Sequence, residues 1–404
     1  MSAIYGNAVV GQSGGPTAAI NATLAGVIRS AFSHKEIEHI YGMRYGIEGF
    51  LKEDIFEINI SDEELDLLES TPASALGSCR VKLPDDMSAV EYDTIDRIID
   101  KYNICCFFYI GGNDSMDTVA KLTHHFELVN RCVKVIGVPK TIDNDLTDTD
   151  HTPGYGSAAK YIAVTMQEIL RDCSVYTKKA VTIVEIMGRD AGWLTAAAAV
   201  PGKICGVAPD FVYLPEKTFD MESFMSDVKL AFEKHSNVVV AVSEGIRDSD
   251  GDYIGAAKYK GLDVFGHVNL SGAAKALEYA VKQKFGCKVR SIELNLPQRC
   301  ASHVASGTDI EESVKVGEEA VEAAVSGKTG KMMCFERRYP IYSVDIVAKD
   351  INLIANRAKS VPDNFINKDH NGVTDECIDY ILPLIQGEVS QKWVNGLPKH
   401  FSFN

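Results

Sequence analysis

Between Val138 and Asp145 the chain reads Val-Pro-Lys-Thr-Ile-Asp-Asn-Asp, which puts a cation, a hydroxyl and two carboxylates within six residues. That set suits transfer of a phosphoanion, with Lys140 holding the charge and Asp143 acting as a base beside it. An ordinary turn of Pro, Asn and Asp, with Lys140 in solvent, is the competing reading of these residues alone. The apolar run just before them reads as a buried strand. Open α/β sheets collect their ligands at the tips of such strands.

Two glycine turns strengthen the phosphate reading. Gly11-Gln12-Ser13-Gly14-Gly15-Pro16 follows the first apolar run, and Gly111-Gly112-Asn113-Asp114-Ser115 follows another, each with a helical pattern after it. Bare N–H groups at a strand-to-helix turn cradle phosphate, although tight turns use glycine pairs for geometry alone. The glycine spacing is not that of a dinucleotide fingerprint. Asp114 stands where an anion is expected to bind. It either caps its helix, excludes a bulkier ligand, or shares a magnesium ion with the phosphate. Met187-Gly188-Arg189 and Ser243-Glu244-Gly245 close two further runs, and Arg290, Gln298 and Arg299 add polar groups. An arginine at a strand tip suits bidentate phosphate contact, and a glutamate accepts from sugar hydroxyls; surface ion pairs are the alternative. Ser326-Gly327-Lys328-Thr329 imitates the end of a nucleotide P-loop, but position 322 is Glu where a glycine is required, so it reads as a loop.

Elements that could position these groups alternate along the chain. Strands are expected over 7–11, 105–112, 133–139, 181–189 and 238–245, with helices over 18–32, 90–101, 116–128 and 158–173. Alternation of this kind predicts an α/β fold with mainly parallel sheets and helices on both faces. The stretch 51–91 is a long acidic loop, partly helical. Residues 311–325 read as an amphipathic surface helix, and the tail after Pro383, with Trp393, Phe401 and Phe403, as packed onto the body.

With 404 residues, 46% of them hydrophobic, two domains are expected. The net charge of -15 opposes non-specific binding to nucleic acid or to an anionic membrane, so a phosphorylated substrate needs a local basic pocket. Ten cysteines without CxxC spacing read as reduced thiols of a cytoplasmic protein. Met1–Gly6 has no leader pattern, and no apolar run approaches the roughly 20 residues of a membrane span.

Taken in order, Gly14-Gly15, Gly77-Ser78-Cys79-Arg80, Gly111–Ser115, Pro139–Asp145, Met187-Gly188-Arg189, Glu244 and Gln298-Arg299 resemble the phosphofructokinase family over most of the chain. The Thr-Ile-Asp-Asn-Asp segment is the most specific of these. The resemblance implies two Rossmann-like lobes. A phosphoryl-donor lobe would span 1–155 plus about 299–355, and a sugar-phosphate lobe 156–298 plus about 356–404. It implies reversible phosphorylation of fructose 6-phosphate at its C1 hydroxyl to fructose 1,6-bisphosphate, a step of glycolysis and gluconeogenesis, with Mg2+. Asp143 would be the base, Thr141 would steady the transferring group and Arg80 would neutralise charge. Thr141, Ile142, Asp143, Met187, Gly188, Arg189, Glu244, Arg290, Gln298 and Arg299 would hold the sugar phosphate. Gly14, Gly15 and Gly112 would hold the donor. In the family some cations come from a neighbouring subunit, which implies a homodimer or homotetramer with shared sites.

Donor identity turns on two positions. ATP users of the family resemble Gly-Gly-Asp-Gly-Ser and Pro-Gly-Thr-Ile-Asp-Asn-Asp, whereas this chain has Asp114 and Lys140 at the two variable glycines. Pyrophosphate users carry that pair. Asp114 would fill and charge the space of the ATP α-phosphate, and Lys140 would bind the small donor. Three departures stand out. Asn113 replaces the magnesium-binding aspartate common in the family, Ala180 replaces a sugar-phosphate arginine, with Lys178 or Lys179 nearby, and Leu294–Pro297 replaces a glycine-containing approach. An ATP-dependent enzyme and a non-catalytic regulatory subunit are the rival readings; the second is opposed by retention of Asp143.

Overall fold

The computed structural model describes residues 4–255 and 272–403, so the reading of Met1–Gly6 lies partly outside the described residues. In chain order the strands of the first half are β1 (Gly6–Gln12), β2 (Ile37–Met43), β3 (Ile55–Glu57), β4 (Ile104–Gly111) and β5 (Lys134–Pro139). They are followed by β6 (Ala180–Ile186), β7 (Phe211–Tyr213), β8 (Asn237–Ser243), β9 (Lys288–Glu293), β10 (Lys331–Arg338) and β11 (Ser343–Asp350). Seven of them form a sheet in the order β11-β10-β5-β4-β1-β2-β3, and four form a second in the order β7-β8-β6-β9. The second sheet is wholly parallel. The larger one is parallel except for its two outermost strands, β3 and β11.

The central strands are continuous apolar runs because helices cover both of their faces. Their side chains alternate with period two. Ala8, Val10, Phe108 and Ile136 pack under helices Ile20–Ser33 and Gly307–Val325. Val9, Phe107, Tyr109 and Val135 pack under helices Val90–Lys101 and Asn113–Leu128. Helices Ile20–Ser33 and Gly307–Val325 touch through glycines: a Cβ on Gly26 would lie 2.0 Å from the Val314 carbonyl oxygen, and one on Gly317 2.2 Å from that of Thr23. The second sheet is enclosed in the same way. Val184, Ile186 and Ala241 face helix Tyr155–Ser174, and Val181, Ile183 and Val240 face helices Met221–Lys234 and Ala273–Phe285.

Three sequence expectations need revision. The helix after β4 begins at Asn113, not at 116, because its first turn is polar and the apolar period starts only at Met116. The antiparallel pairing of β10 with β11 was not foreseen. The tail is divided. Phe403 packs edge-on against Phe56 at 5.2 Å and against Phe401 at 4.8 Å, whereas Trp393 is 57% exposed. Helix Gly307–Val325 is amphipathic as expected, but Glu312 is buried against His151 and Tyr342. Among the described residues no helix is long and apolar enough to cross a membrane.

Candidate active site

The tips of both sheets open on one cleft of about 670 Å³, lined from the larger sheet by the turns after β1, β4 and β5 and from the smaller by those after β6 and β8. Lys140 is its floor. The side chain is 3% exposed, and its Nζ donates to the Gly15 carbonyl at 2.7 Å, tying the turn after β5 to the turn after β1. Gly14 has a φ of +79°, and a Cβ there would come within 3.0 Å of Lys140 Nζ. The glycine is therefore needed both for the turn and for the approach of the cation. Ser78 Oγ donates to the Gly14 carbonyl at 2.6 Å and brings Arg80 to the same cleft. Burial pulls the lysine down to about 8, against the attraction of Asp143 and Asp145.

Two of the five cleft carboxylates, Asp143 and Asp145, lie together on the loop after β5. Asp143 is half-buried and ringed by protein. Burial raises its proton affinity, and Lys140, Arg189 and Arg299 oppose that rise. Burial and then the neighbouring Asp143 push Asp145 up to about 7. Two carboxylates so placed compete to ionise, and one proton or one divalent cation relieves both.

The loop that carries them is fastened at each turn. The Asp143 N–H donates to Thr141 Oγ1 at 3.1 Å, and Asn144, with φ +55°, donates from Nδ2 to the Tyr380 hydroxyl at 2.9 Å. The Lys359 N–H donates to the Asp145 carbonyl at 2.7 Å, and its Nζ donates to the carbonyls of Thr149 and Asp150 at 3.1 and 2.7 Å. Asp143 is thus held on a rigid support.

The other wall is built by the smaller sheet. Gly188, with φ +138°, leaves no room for a Cβ, which would sit 2.5 Å from the Ala191 carbonyl oxygen. Its N–H donates to Glu244 Oε1 at 3.3 Å. Burial pushes Glu244 up to about 7. Gln298 is buried and accepts the Met187 N–H at 3.0 Å, so it shapes the wall from behind and does not line the cleft. Arg189 and Arg299 do line it, and the Nε of each is buried without a hydrogen-bond partner. Two guanidiniums on one wall of a cleft suit an anionic ligand.

Most of the residues singled out from the sequence meet here, including Gly14, Gly15, Arg80, Gly112, Asp114, Thr141, Ile142 and Asp143. Arg290 does not. It lies within β9, paired in register with Thr182, and is absent from the cleft lining. Asn113 reaches the rim with both polar atoms engaged: Nδ2 donates to the Arg357 carbonyl at 2.7 Å and Oδ1 accepts the Asn356 N–H at 2.8 Å. The amide oxygen thus already serves the protein, and it is a poor magnesium ligand. Among the described residues no cluster of three or more His, Cys, Asp or Glu could hold a metal ion by itself. The Asp143–Asp145 pair does suit one shared with phosphate oxygens, since Mg2+ is usually held by one or two carboxylates, substrate and water.

Sequence reasoning missed two cations of the cleft. Lys82 lies two residues beyond Arg80 and pairs with Asp114 Oδ1 at 2.8 Å. Extending the Gly77–Arg80 segment by two positions would have found it. Arg357 also lines the cleft and has no local motif.

The phosphofructokinase family pattern matches residues 7–324. The chain is 41% identical over 401 residues to the pyrophosphate--fructose 6-phosphate 1-phosphotransferase of Halomonas elongata, covering 97% of this chain and 95% of that protein. It is 40% identical over 403 residues to the protein of the same name in Xanthomonas campestris pv. campestris, covering 98% and 96%. The crystal structure of the pyrophosphate-dependent phosphofructokinase from Nitrosospira multiformis superposes with a TM-score of 0.90 at 36% identity, covering 98% of this chain and 96% of that one.

Proposed function

The chain belongs to the phosphofructokinase family, and we propose that it transfers a phosphoryl group from pyrophosphate to the C1 hydroxyl of fructose 6-phosphate. The observation that carries the donor assignment is the presence in one cleft of a buried Lys140, bonded to the Gly15 carbonyl, and of the Asp114 carboxylate. A cation at the floor binds a small, densely charged donor. A carboxylate at the rim repels the additional phosphate of a nucleotide.

In the proposed reaction Asp143 takes the proton of the C1 hydroxyl as its oxygen attacks the terminal phosphorus. The bond from that phosphorus to the bridging oxygen breaks, and inorganic phosphate leaves. Lys140 and Arg80 balance charge on the transferring group, and Thr141 steadies it; positioning and charge are what phosphoryl transfer needs from a protein. Arg189 and Arg299 hold the 6-phosphate with the guanidinium groups that line the cleft, and Glu244 accepts from a sugar hydroxyl. A magnesium ion, when bound with the donor, would neutralise phosphate charge beside Asp143 and Asp145. The reverse reaction follows with Asp143 returning the proton, which suits a reversible step serving glycolysis and gluconeogenesis.

Three further readings belong to this proposal. The division into lobes is drawn at about 155, 299 and 355, in keeping with the two sheets. Arg290, remote from its own cleft, would serve the cleft of a neighbouring copy, which makes the enzyme a homodimer or homotetramer. Its compartment is the cytoplasm, in keeping with ten free cysteines. The deciding experiment is a coupled assay with pyrophosphate and with ATP as alternative donors. Turnover with pyrophosphate alone is the expected result. Turnover with ATP alone overturns the donor assignment, and binding of fructose 6-phosphate without turnover by either donor makes the chain a regulatory subunit.

A further inference from the structure

We propose that Arg357 is a ligand of the pyrophosphate donor, and that Asn113 is a clasp that positions it rather than a metal ligand; this rests on the donor assignment above. Residues 356–359 run between the turn after β4 and the loop after β5 and are bonded on both sides. On one side the Asn113 amide grips two successive peptide groups, donating to the Arg357 carbonyl at 2.7 Å and accepting the Asn356 N–H at 2.8 Å. Asn356 Nδ2 adds a bond to Asp117 Oδ1 at 3.0 Å. On the other side Ala358 bridges to Leu146, and the Lys359 N–H donates to the Asp145 carbonyl at 2.7 Å.

That fastening holds Asn356 at a φ of +61°, a left-handed conformation that asparagine tolerates better than most residues and that turns the chain toward the cleft. Its consequence is to deliver an exposed arginine to the cleft beside Asn113 and Asp114, at the donor end. With Lys82 paired to Asp114, Lys140 and Arg80 bring two positive charges to a donor that carries more negative charge than that, which leaves room for a further cation. A guanidinium matches the geometry of phosphate oxygens.

The test uses the full-length protein. Calorimetric titration with pyrophosphate and Mg2+, without fructose 6-phosphate, should show Arg357→Ala binding about tenfold or more weakly, the cost of one charge-assisted hydrogen bond. Arg357→Lys should recover part of the loss, and KM for fructose 6-phosphate should stay near that of the parent. Asn113→Ala should reproduce the loss, and the double variant should bind no more weakly than Arg357→Ala. Asn113→Asp separates clasp from metal ligand: it keeps the acceptor, loses the N–H donor and should weaken pyrophosphate binding without changing half-saturation by Mg2+ at saturating pyrophosphate. Unchanged pyrophosphate affinity in Arg357→Ala overturns the proposal, as does a lowered Mg2+ requirement in Asn113→Asp. If the parent protein fails to turn over pyrophosphate, the donor assignment fails instead.

Discussion

Lys82 and Asp114 form an ion pair of 2.8 Å at the rim of the cleft, with each side chain about half in solvent. In stability such a pair is worth about 0.2–1 kcal/mol. Its meaning lies in the donor. The charge by which Asp114 is proposed to exclude a larger donor would also repel pyrophosphate were no cation beside it. Lys82→Met should therefore raise KM for pyrophosphate about tenfold while leaving the melting temperature almost unchanged. In an Asp114→Asn background the same substitution should cost clearly less. Steady-state kinetics of the four proteins measure the coupling, and equal costs in both backgrounds would remove Lys82 from donor binding.

Lys140 and Asp114 together should set the choice of donor. Asp114→Gly with Lys140→Gly is expected to lose pyrophosphate activity, and unchanged kinetics would show that the two positions do not govern it. The lysine also predicts a pH dependence. Burial lowers it to about 8 from an ordinary 10.5, so in the free enzyme the charge that binds the donor is lost as pH rises through about 8. KM for pyrophosphate should climb on the alkaline side while KM for fructose 6-phosphate climbs less. Lys140→Arg, whose guanidinium stays charged, should flatten that limb.

Much of this site was legible because its parts sit at strand ends, where apolar runs stop and glycine turns begin. Gly14, Gly112, Lys140 and Asp143 each follow such a run directly. Arg357 was not legible, because it reaches the cleft only through residues 356–359 crossing between distant elements, a contact no local pattern encodes. The engagement of the Asn113 amide was hidden for the same reason: the backbone that occupies it is 243 positions away. The β10–β11 hairpin escaped because the apolar stretch Met332–Phe335 gives way to charged residues, which hides its pairing with β11. Trp393 was expected to be buried on hydrophobicity alone, and it is not.

Asp145 should cost the protein stability at neutral pH. Its carboxyl is raised to about 7 in the fold, by burial and by Asp143, from an ordinary 3.8. Between those values the native state binds more protons than the unfolded chain, so this group's contribution falls as pH rises from about 4 to about 7. Asp145→Asn should raise thermal stability at pH 8 by on the order of 1–3 kcal/mol. The gain should shrink toward pH 4, where the acid is protonated in both states. Activity should fall, since Asp145 lines the cleft. Melting curves of the two proteins at both pH values make the comparison, and a gain independent of pH would exclude an electrostatic origin.

The Tyr380 hydroxyl predicts how closely catalysis depends on the support of the loop. It accepts from Asn144 Nδ2 at 2.9 Å and donates to the Asp150 carbonyl at 2.6 Å, so one atom joins two points of the loop that carries Asp143. Asn144 is fully buried, and its Oδ1 already has no hydrogen-bond partner. Tyr380→Phe keeps the ring and its packing on Trp193 but leaves the Asn144 amide without its acceptor, at a cost of about 1–3 kcal/mol. Because Asn144 holds a positive φ next to the base, part of that cost should appear as misplacement of Asp143. The expected result is a fall in kcat of about tenfold or more, with KM for fructose 6-phosphate changed much less. Loss of stability with an unaltered kcat would mean that the base is held in place without Tyr380.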